Sequence, residues 1–544
     1  MGKNMAENIR EIVLDTLLAL EKEEEYSHRL IRAVLDKYSY LDSRDRAFMK
    51  RLAEGSIERQ IELDYYLDQL SSLPVRKMKP LIRCLLRMSA CQILYMDTVP
   101  DSAVCNEAVK LAGKRGFRNL KGFVNGVLRN LSRQKEALPL PDENREPVTF
   151  LSVKYSMPAW LVELWLSGYG REVTENMLAG LMRIHPVSLR FSTGLSDRER
   201  EEGEERLRQA GVKITPGPYL PYVCSMEHGE DVRMLPGFEE GIFTVQDVSS
   251  ALAVEAAQIR ETDFVMDICA APGGKSILAA EKAHQVLARD VSGGKTDMIG
   301  ENIGRMGIRN VEVQVFDATE YDEKYEGKAD VVLMDVPCSG LGVIGKKRDI
   351  KYHVTPEGLE TLMKLQRQIV DSSWRYVKPG GTLLYSTCTI HPGENEAMVK
   401  YISEQLPFEP VSLENVLPQE LWEQKRKLEA QRKMQTEQEA EAQRKTQAQQ
   451  GAEAQRKTQA QQEAEAQRKK PAEHMTEAQR KTQAEQEAEN IPGMRAQAGT
   501  PVQLTEKEQS ACIQLLPGYM ECDGFFFARF RRQRSSRNRK IPCD

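Results

Sequence analysis

Phe264-Val-Met-Asp267-Ile-Cys269-Ala-Ala-Pro-Gly273-Gly274-Lys275-Ser276 decides the fold of this 544-residue chain. A short apolar run ends on an acid and opens into a Gly-Gly turn, the form of a strand feeding a helix through a glycine-rich loop. Backbone N–H groups at such a junction can meet a polar ligand. An ATP-type P-loop needs glycine five residues before Gly274, where Cys269 stands, and Gly294-Lys295-Thr296 fails the same test with Arg289 at that position. A GxGxxG fingerprint is also absent. Downstream, strand-like runs at Gln285–Asp290, Val311–Phe316, Val331–Asp335 and Thr382–Ser386 alternate with helical segments. Near-continuous apolar strands in that alternation predict a parallel, doubly wound Rossmann-like α/β domain over 246–420. Gln514–Leu516 and Gly524–Phe530 predict two antiparallel strands closing the sheet edge, so the domain resumes over 500–532.

The rest of the chain divides by pattern. Residues 1–135 read as all helix, with Ile9, Ile12, Val13, Thr16, Leu17 and Leu20 at helical spacing. From Lys110 to Lys135 there are eight basic and no acidic side chains, with Phe117 and Phe123 interleaved. That stretch reads either as a solvated helix face or as a phosphate-contacting surface. Pro139, Pro141 and Pro147 mark a linker over 136–150, and a small α+β module is expected over 151–245. Glu-Ala-Gln-Arg-Lys begins at 429, 441, 453, 465 and 477, a twelve-residue repeat inside a low-complexity insertion assigned to 421–499. Alanine is almost its sole apolar residue, so a solvated helix or disorder is expected there. The tail over 533–544 is basic.

Net charge is -5, which argues against a globally basic nucleic-acid coat but not against local basic patches. Ten cysteines lie scattered without CxxC pairs, and no run of 18 or more apolar residues occurs. The expectation is a cytoplasmic protein without structural disulfides, metal or membrane association.

Four acids end successive strands: Asp267, Asp290, Asp317 and Asp335. Asp290 follows Asp267 by 23 residues, a spacing at which an acid binds ribose hydroxyls. Asp317 is placed to meet an adenine amino group. Two cysteines also end strands, Cys338 in Asp335-Val-Pro-Cys338-Ser-Gly340 and Cys388 in Ser386-Thr-Cys388-Thr389. A lone strand-end cysteine is usually an inert small hydrophobe; two, beside a nucleotide-type pocket, suggest covalent chemistry on a pyrimidine ring.

These segments, followed by Glu394-Asn395-Glu396, resemble the RNA 5-methylcytosine methyltransferases that use S-adenosylmethionine. The resemblance extends to Phe243-Thr-Val-Gln246-Asp247-Val-Ser-Ser250 and Asp523-Gly-Phe-Phe-Phe527. The helical N-terminus is similar to the NusB-type domain, through Tyr95-Met-Asp-Thr-Val-Pro100, Asn106-Glu107-Ala-Val109 and Gly122-Phe-Val-Asn125-Gly-Val-Leu-Arg129. The combination most resembles the RsmB-type family of bacterial 16S rRNA cytosine-5 methyltransferases. It implies a cofactor loop of Cys269, Ala270, Ala271, Pro272, Gly273, Gly274 and Lys275, with Asp290, Asp317 and Asp335 as further contacts. It implies Cys388 as the nucleophile and Cys338 in the release step; the chemistry puts Asp335 on the ring edge, and His391, just past Cys388, reads as a loop residue rather than a base. Expected partners are 16S rRNA, within an early small-subunit assembly intermediate, acted on by a monomer.

Five positions, in four places, depart from the usual family pattern: Val336 for alanine, Thr389 for serine, Arg348 for proline, and Phe191-Ser192 for Val-Asn. The last two are expected to lie in substrate surface. The rival readings are methylation of transfer RNA or 23S RNA, and a non-catalytic RNA-binding or antitermination factor. The second is disfavoured by two cysteines and four acids that an RNA clamp does not need.

Overall fold

The computed structural model describes residues 8–22, 26–183, 186–227, 231–434 and 502–534. Most of the repeat and the tail beyond 534 lie outside them, as does the expectation of disorder there. Among the described residues, no helix is long and apolar enough to cross a membrane.

From Ile9 to Gln134 the described chain is helical, with no strand. Val13, Leu52, Leu67, Leu85, Leu86, Leu111 and Leu128 meet in one buried core. The basic stretch is partly neutralised by acids of the first helix and its neighbours: Lys114 pairs with Glu11, Arg115 with Asp15, Lys110 with Glu107 and Lys135 with Asp101.

A four-stranded antiparallel sheet follows, made of β1 (Val187–Phe191), β2 (Lys213–Pro216), β3 (Val223–Glu227) and β4 (Phe243–Val245), in the order β2-β3-β1-β4. Its own small core holds Leu189, Phe191, Leu207, Met226 and Phe243. The helices Pro147–Lys154, Ala159–Tyr169 and Arg171–Leu181 do not join that core. Leu151, Leu161, Trp165 and Met177 pack instead with the large α/β core. The segment expected as one module over 151–245 is therefore shared between two cores, because its helices bury onto the larger sheet.

The large sheet has eight strands. Five are parallel and neighbour one another as β9-β8-β5-β6-β7: β5 (Phe264–Asp267), β6 (Gln285–Asp290), β7 (Val311–Val315), β8 (Ala329–Asp335) and β9 (Val377–Thr387). Three antiparallel strands extend it: β10 (Phe408–Pro410), β11 (Cys512–Leu515) and β12 (Phe525–Arg532), with β12 paired to β9. Side chains alternate between two faces, as the strand period of two demands. Val265, Val331, Leu333, Leu384, Phe525 and Phe527 enter one core with the helix Val248–Ala256. Met266, Val332, Met334, Leu383, Tyr385 and Phe526 enter the other with the helices Pro356–Ser373 and Glu396–Gln405. A sheet buried on both faces explains why its strands read as continuous apolar runs.

The chain remains ordered past the boundary expected at 421. A helix over 419–434 buries Leu421, Trp422 and Leu428 in the first core, and Lys425 Nζ donates to the carbonyl oxygens of Gln509 and Cys512. The first repeat copy thus begins on an anchored helix. Its apolar face comes from Leu421, Trp422 and Leu428, which precede the alanine-rich copies.

Candidate active site

All four acids stand at the carboxyl end of the parallel strands, where open α/β sheets bind ligands. The loop after β5 turns at Gly273, whose φ of +101° favours glycine and whose missing Cβ leaves room for Ile299. Asp267 Oδ2 accepts from Ser276 Oγ at 2.6 Å, while its Oδ1 is buried with no hydrogen-bond partner among the described residues. Burial pushes this carboxyl up to about 7. Asp290 Oδ2 accepts from the Ala271 backbone N–H at 3.0 Å, tying the second acid to the loop, and Lys295 Nζ lies 3.0 Å from its Oδ1. Asp317 is exposed, two residues beyond β7, and accepts from Thr319. Cys269 is driven far up by burial and the surrounding acids, so it stays a neutral thiol. Ala270 and Gly273 are buried within the loop, and Pro272 between them is exposed.

Asp335 ends β8 between two donors: Lys275 Nζ reaches its Oδ2 at 2.8 Å, and Ser386 Oγ reaches its Oδ1 at 2.8 Å. Lys275 and Gly274 begin the helix after the loop, but the Lys275 side chain is committed to Asp335. It therefore links the glycine loop to the two thiols.

Cys338 and Cys388 follow adjacent parallel strands β8 and β9, and their sulfurs are 3.3 Å apart. Such a pair holds one proton more tightly than two. The contact with Cys338 holds the Cys388 thiol below the ordinary range against burial and the Asp335 carboxylate, with the Lys347 and Lys275 ammonium groups adding to the effect. The same contact, with burial and nearby Glu394, pushes Cys338 well up. The hydrogen bond shared by the two thiols is the largest cause of both shifts, and the charged neighbours act after it. We expect iodoacetamide to alkylate Cys388 at pH values below the ordinary thiol range. Because Cys338→Ala removes the stabilising donor, the midpoint for Cys388 should move up, measured by mass spectrometry of alkylation rate against pH. An unmoved midpoint would contradict the paired-thiol reading.

A buried polar brace fixes the two loops. Glu394 accepts from the Ser339 N–H and from Gln366 Nε2, both at 2.9 Å, and from the Ser339 hydroxyl. Ser339 Oγ also lies 2.7 Å from Thr389 Oγ1, crossing from one thiol loop to the other. Asn395 flanks Cys388 on both sides, accepting from Thr387 Oγ1 and donating to the Thr389 carbonyl. Gly342 donates to the Cys388 carbonyl at 3.0 Å and touches Gly524 so closely that a Cβ would lie 1.9 Å from the Gly524 oxygen. His391 is buried, and burial lowers it to about 4, so it stays neutral at physiological pH.

Sequence reasoning missed the side chains that hold this region. Lys346 Nζ bridges Asp247 Oδ2 at 2.7 Å and Asp523 Oδ2 at 2.6 Å. Both acids lie in segments that carry the family resemblance, but nothing in the sequence joins them to Lys346. The Arg348 expectation is corrected. Its guanidinium pairs with Glu58 and Glu54 of the N-terminal domain, so it is an interdomain contact, not open substrate surface. Lys351 Nζ, buried, donates to the Glu58 carbonyl at 2.8 Å, capping the C-terminal end of the helix Ser43–Glu58. Phe191 is likewise core rather than surface, packed against Phe243.

Comparisons with known proteins agree on two regions. The family "16S rRNA methyltransferase RsmB/F" matches residues 254–445, and the "NusB family" matches 7–133. "Probable ribosomal RNA small subunit methyltransferase B" of Bacillus subtilis (strain 168) is 34% identical over 76% of this chain and 92% of its own. The Vibrio cholerae protein "Ribosomal RNA small subunit methyltransferase B" is 30% identical over 72% of this chain and 88% of its own. The solved structure of PH0851 superposes with a TM-score of 0.65 at 21% identity, over 97% of this chain and all of that one, a likeness of fold.

Proposed function

The chain belongs to the RsmB/F family of 16S rRNA methyltransferases, and from that premise we propose that it methylates carbon-5 of one cytosine in 16S rRNA through a covalent Cys388–carbon-6 bond. As a member of that family it is an S-adenosylmethionine-dependent ribosomal RNA methyltransferase. The observation that carries the covalent reading is the pair of sulfurs 3.3 Å apart, beside Asp335 and Lys275.

The residues present suit S-adenosylmethionine. Asp267 offers an unsatisfied buried oxygen at the start of the loop, and Asp290 and Asp317 stand at the next two strand ends. Cys269 to Lys275, with Asp290, Asp317 and Asp335, would hold it. When bound, the cofactor supplies an electrophilic methyl group on a sulfonium centre. Cytosine carbon-5 is too weak a nucleophile to take that methyl unaided. Addition of the Cys388 thiolate to carbon-6 pushes electron density onto carbon-5. Asp335, between Lys275 and Ser386, would accept from the exocyclic amino group on the ring edge, and the Lys275 ammonium beside it would offset the negative charge that develops on the ring. After methylation the carbon-5 proton is removed, and Cys388 leaves as a thiolate, regenerating the ring and the nucleophile. The proposal includes a monomer acting in the cytoplasm on RNA within an early small-subunit particle.

Bisulfite sequencing of 16S rRNA from a strain lacking this gene, beside its parent, tests the reading. The expected result is loss of one methylated cytosine. An unchanged 16S profile with a lost site in transfer or 23S RNA would move the substrate. No lost site in any RNA would overturn cytosine-5 methylation.

A further inference from the structure

Three consecutive cations, Lys346-Lys347-Arg348, follow the Cys338 loop, and the structure gives them different partners. Lys346 is bound by Asp247 and Asp523 of the catalytic domain. Arg348 is bound by Glu58 and Glu54 of the N-terminal domain. Lys347 between them is exposed, and its ammonium has no ion-pair or hydrogen-bond partner among the described residues. Its backbone is fixed all the same: its N–H donates to the Val343 carbonyl at 2.9 Å, and its own carbonyl accepts from Ile350. One unneutralised cation is thus held on the rim near Cys388 by an ion-paired residue on each side.

The target's own chemistry says what this cation faces. In a pyrimidine nucleotide with the usual anti glycosidic bond, the carbon-6 edge of the ring overlies the sugar on the side of the 5′-phosphate. A sulfur that reaches carbon-6 therefore works beside that phosphate. We propose that Lys347 binds the phosphate on the 5′ side of the target cytidine, and that Lys346 and Arg348 are positioning residues that keep it there. This rests on the covalent reading of Cys388. It also gives Arg348 a purpose at the position where the family usually has proline: proline cannot reach Glu58, whereas arginine fastens the cationic loop to the N-terminal domain. Binding a phosphate here adds a charge-assisted contact that sets the register of the strand without reading its sequence.

The test uses the full-length protein and a short 16S-derived RNA in which the cytosine trapped by the wild-type enzyme is the single 5-fluorocytidine. The linkage on its 5′ side is either a normal phosphate or a neutral methylphosphonate. With wild-type protein, the methylphosphonate is expected to slow covalent trapping about tenfold, the worth of one charged hydrogen bond. Lys347→Ala should trap the normal RNA about tenfold more slowly, should respond little to the methylphosphonate, and should be rescued by Lys347→Arg. Trapping by Lys347→Ala at the wild-type rate, or a full further loss with the methylphosphonate, would overturn the proposal. A wild-type protein that traps neither RNA would instead overturn the covalent reading on which it rests.

Discussion

Cys388→Ala is expected to lower kcat by roughly four orders of magnitude or more, the scale on which removal of a covalent nucleophile acts. No other group near the ring can take its place. Cys338 sits 3.3 Å away but follows β8 rather than β9, so a ring bound for attack by Cys388 does not present carbon-6 to it. Cys269 is a neutral, partly buried thiol, and His391 is neutral and buried. The loss should fall on kcat with KM for S-adenosylmethionine little changed, because Cys388 is not part of the glycine loop. Steady-state methyl transfer from labelled cofactor to RNA measures it. Turnover at a tenth of the wild-type rate would remove Cys388 from the chemistry.

Cys338→Ala is expected to methylate once and then stall, accumulating protein covalently joined to RNA, with steady-state turnover reduced roughly 10²- to 10⁴-fold, the usual worth of a general acid or base. Under the proposed covalent mechanism, the two thiols set the order of events. In the free protein, Cys338 is held protonated first by its hydrogen bond to Cys388, then by burial, and then by the charge on that sulfur. Once Cys388 is bonded to carbon-6, its sulfur is a neutral thioether, and the first and third of these causes vanish. Cys338 can then lose its proton to solvent. As a thiolate it takes the proton from carbon-5, and Cys388 departs with the electron pair of the carbon–sulfur bond. The sequence returns the pair to its starting state of one thiol and one thiolate. Denaturing gel electrophoresis of the variant with RNA and cofactor reads the adduct directly. Normal turnover without adduct would show that another group removes the proton.

Much of this site was legible in the sequence because the parallel sheet writes it at strand ends. Asp267, Asp290 and Asp335 were each the last residue of an apolar run and are the last residues of β5, β6 and β8. Cys338 and Cys388 were separable from inert core cysteines by their Pro-Cys-Ser-Gly and Ser-Thr-Cys contexts, and the adjacency of β8 and β9 brings them together. What stayed hidden depends on pairings across long separations. Lys346 meets Asp247 and Asp523, and Arg348 meets Glu58, through the docking of elements far apart in the chain. The helices from Pro147 to Leu181 carry a helical pattern that does not say which of two cores they enter. The helix over 419–434 was read as part of the repeat because Glu429 begins the first copy, yet Trp422 and Leu428 belong to the core. Glu394 was visible as part of Glu394-Asn395-Glu396, but its role in joining the two thiol loops needs the geometry of Ser339 and Thr389.

The central claim is that the Cys388 sulfur forms the bond to the pyrimidine. Wild-type protein incubated with S-adenosylmethionine and 16S-derived RNA containing 5-fluorocytidine should stall after methyl transfer, because fluorine replaces the proton that must leave. Proteolysis and mass spectrometry of the stalled species should place a methylated fluoropyrimidine nucleotide on the peptide containing Cys388. A nucleotide on Cys338, or methylated RNA with no protein attached, would contradict the account.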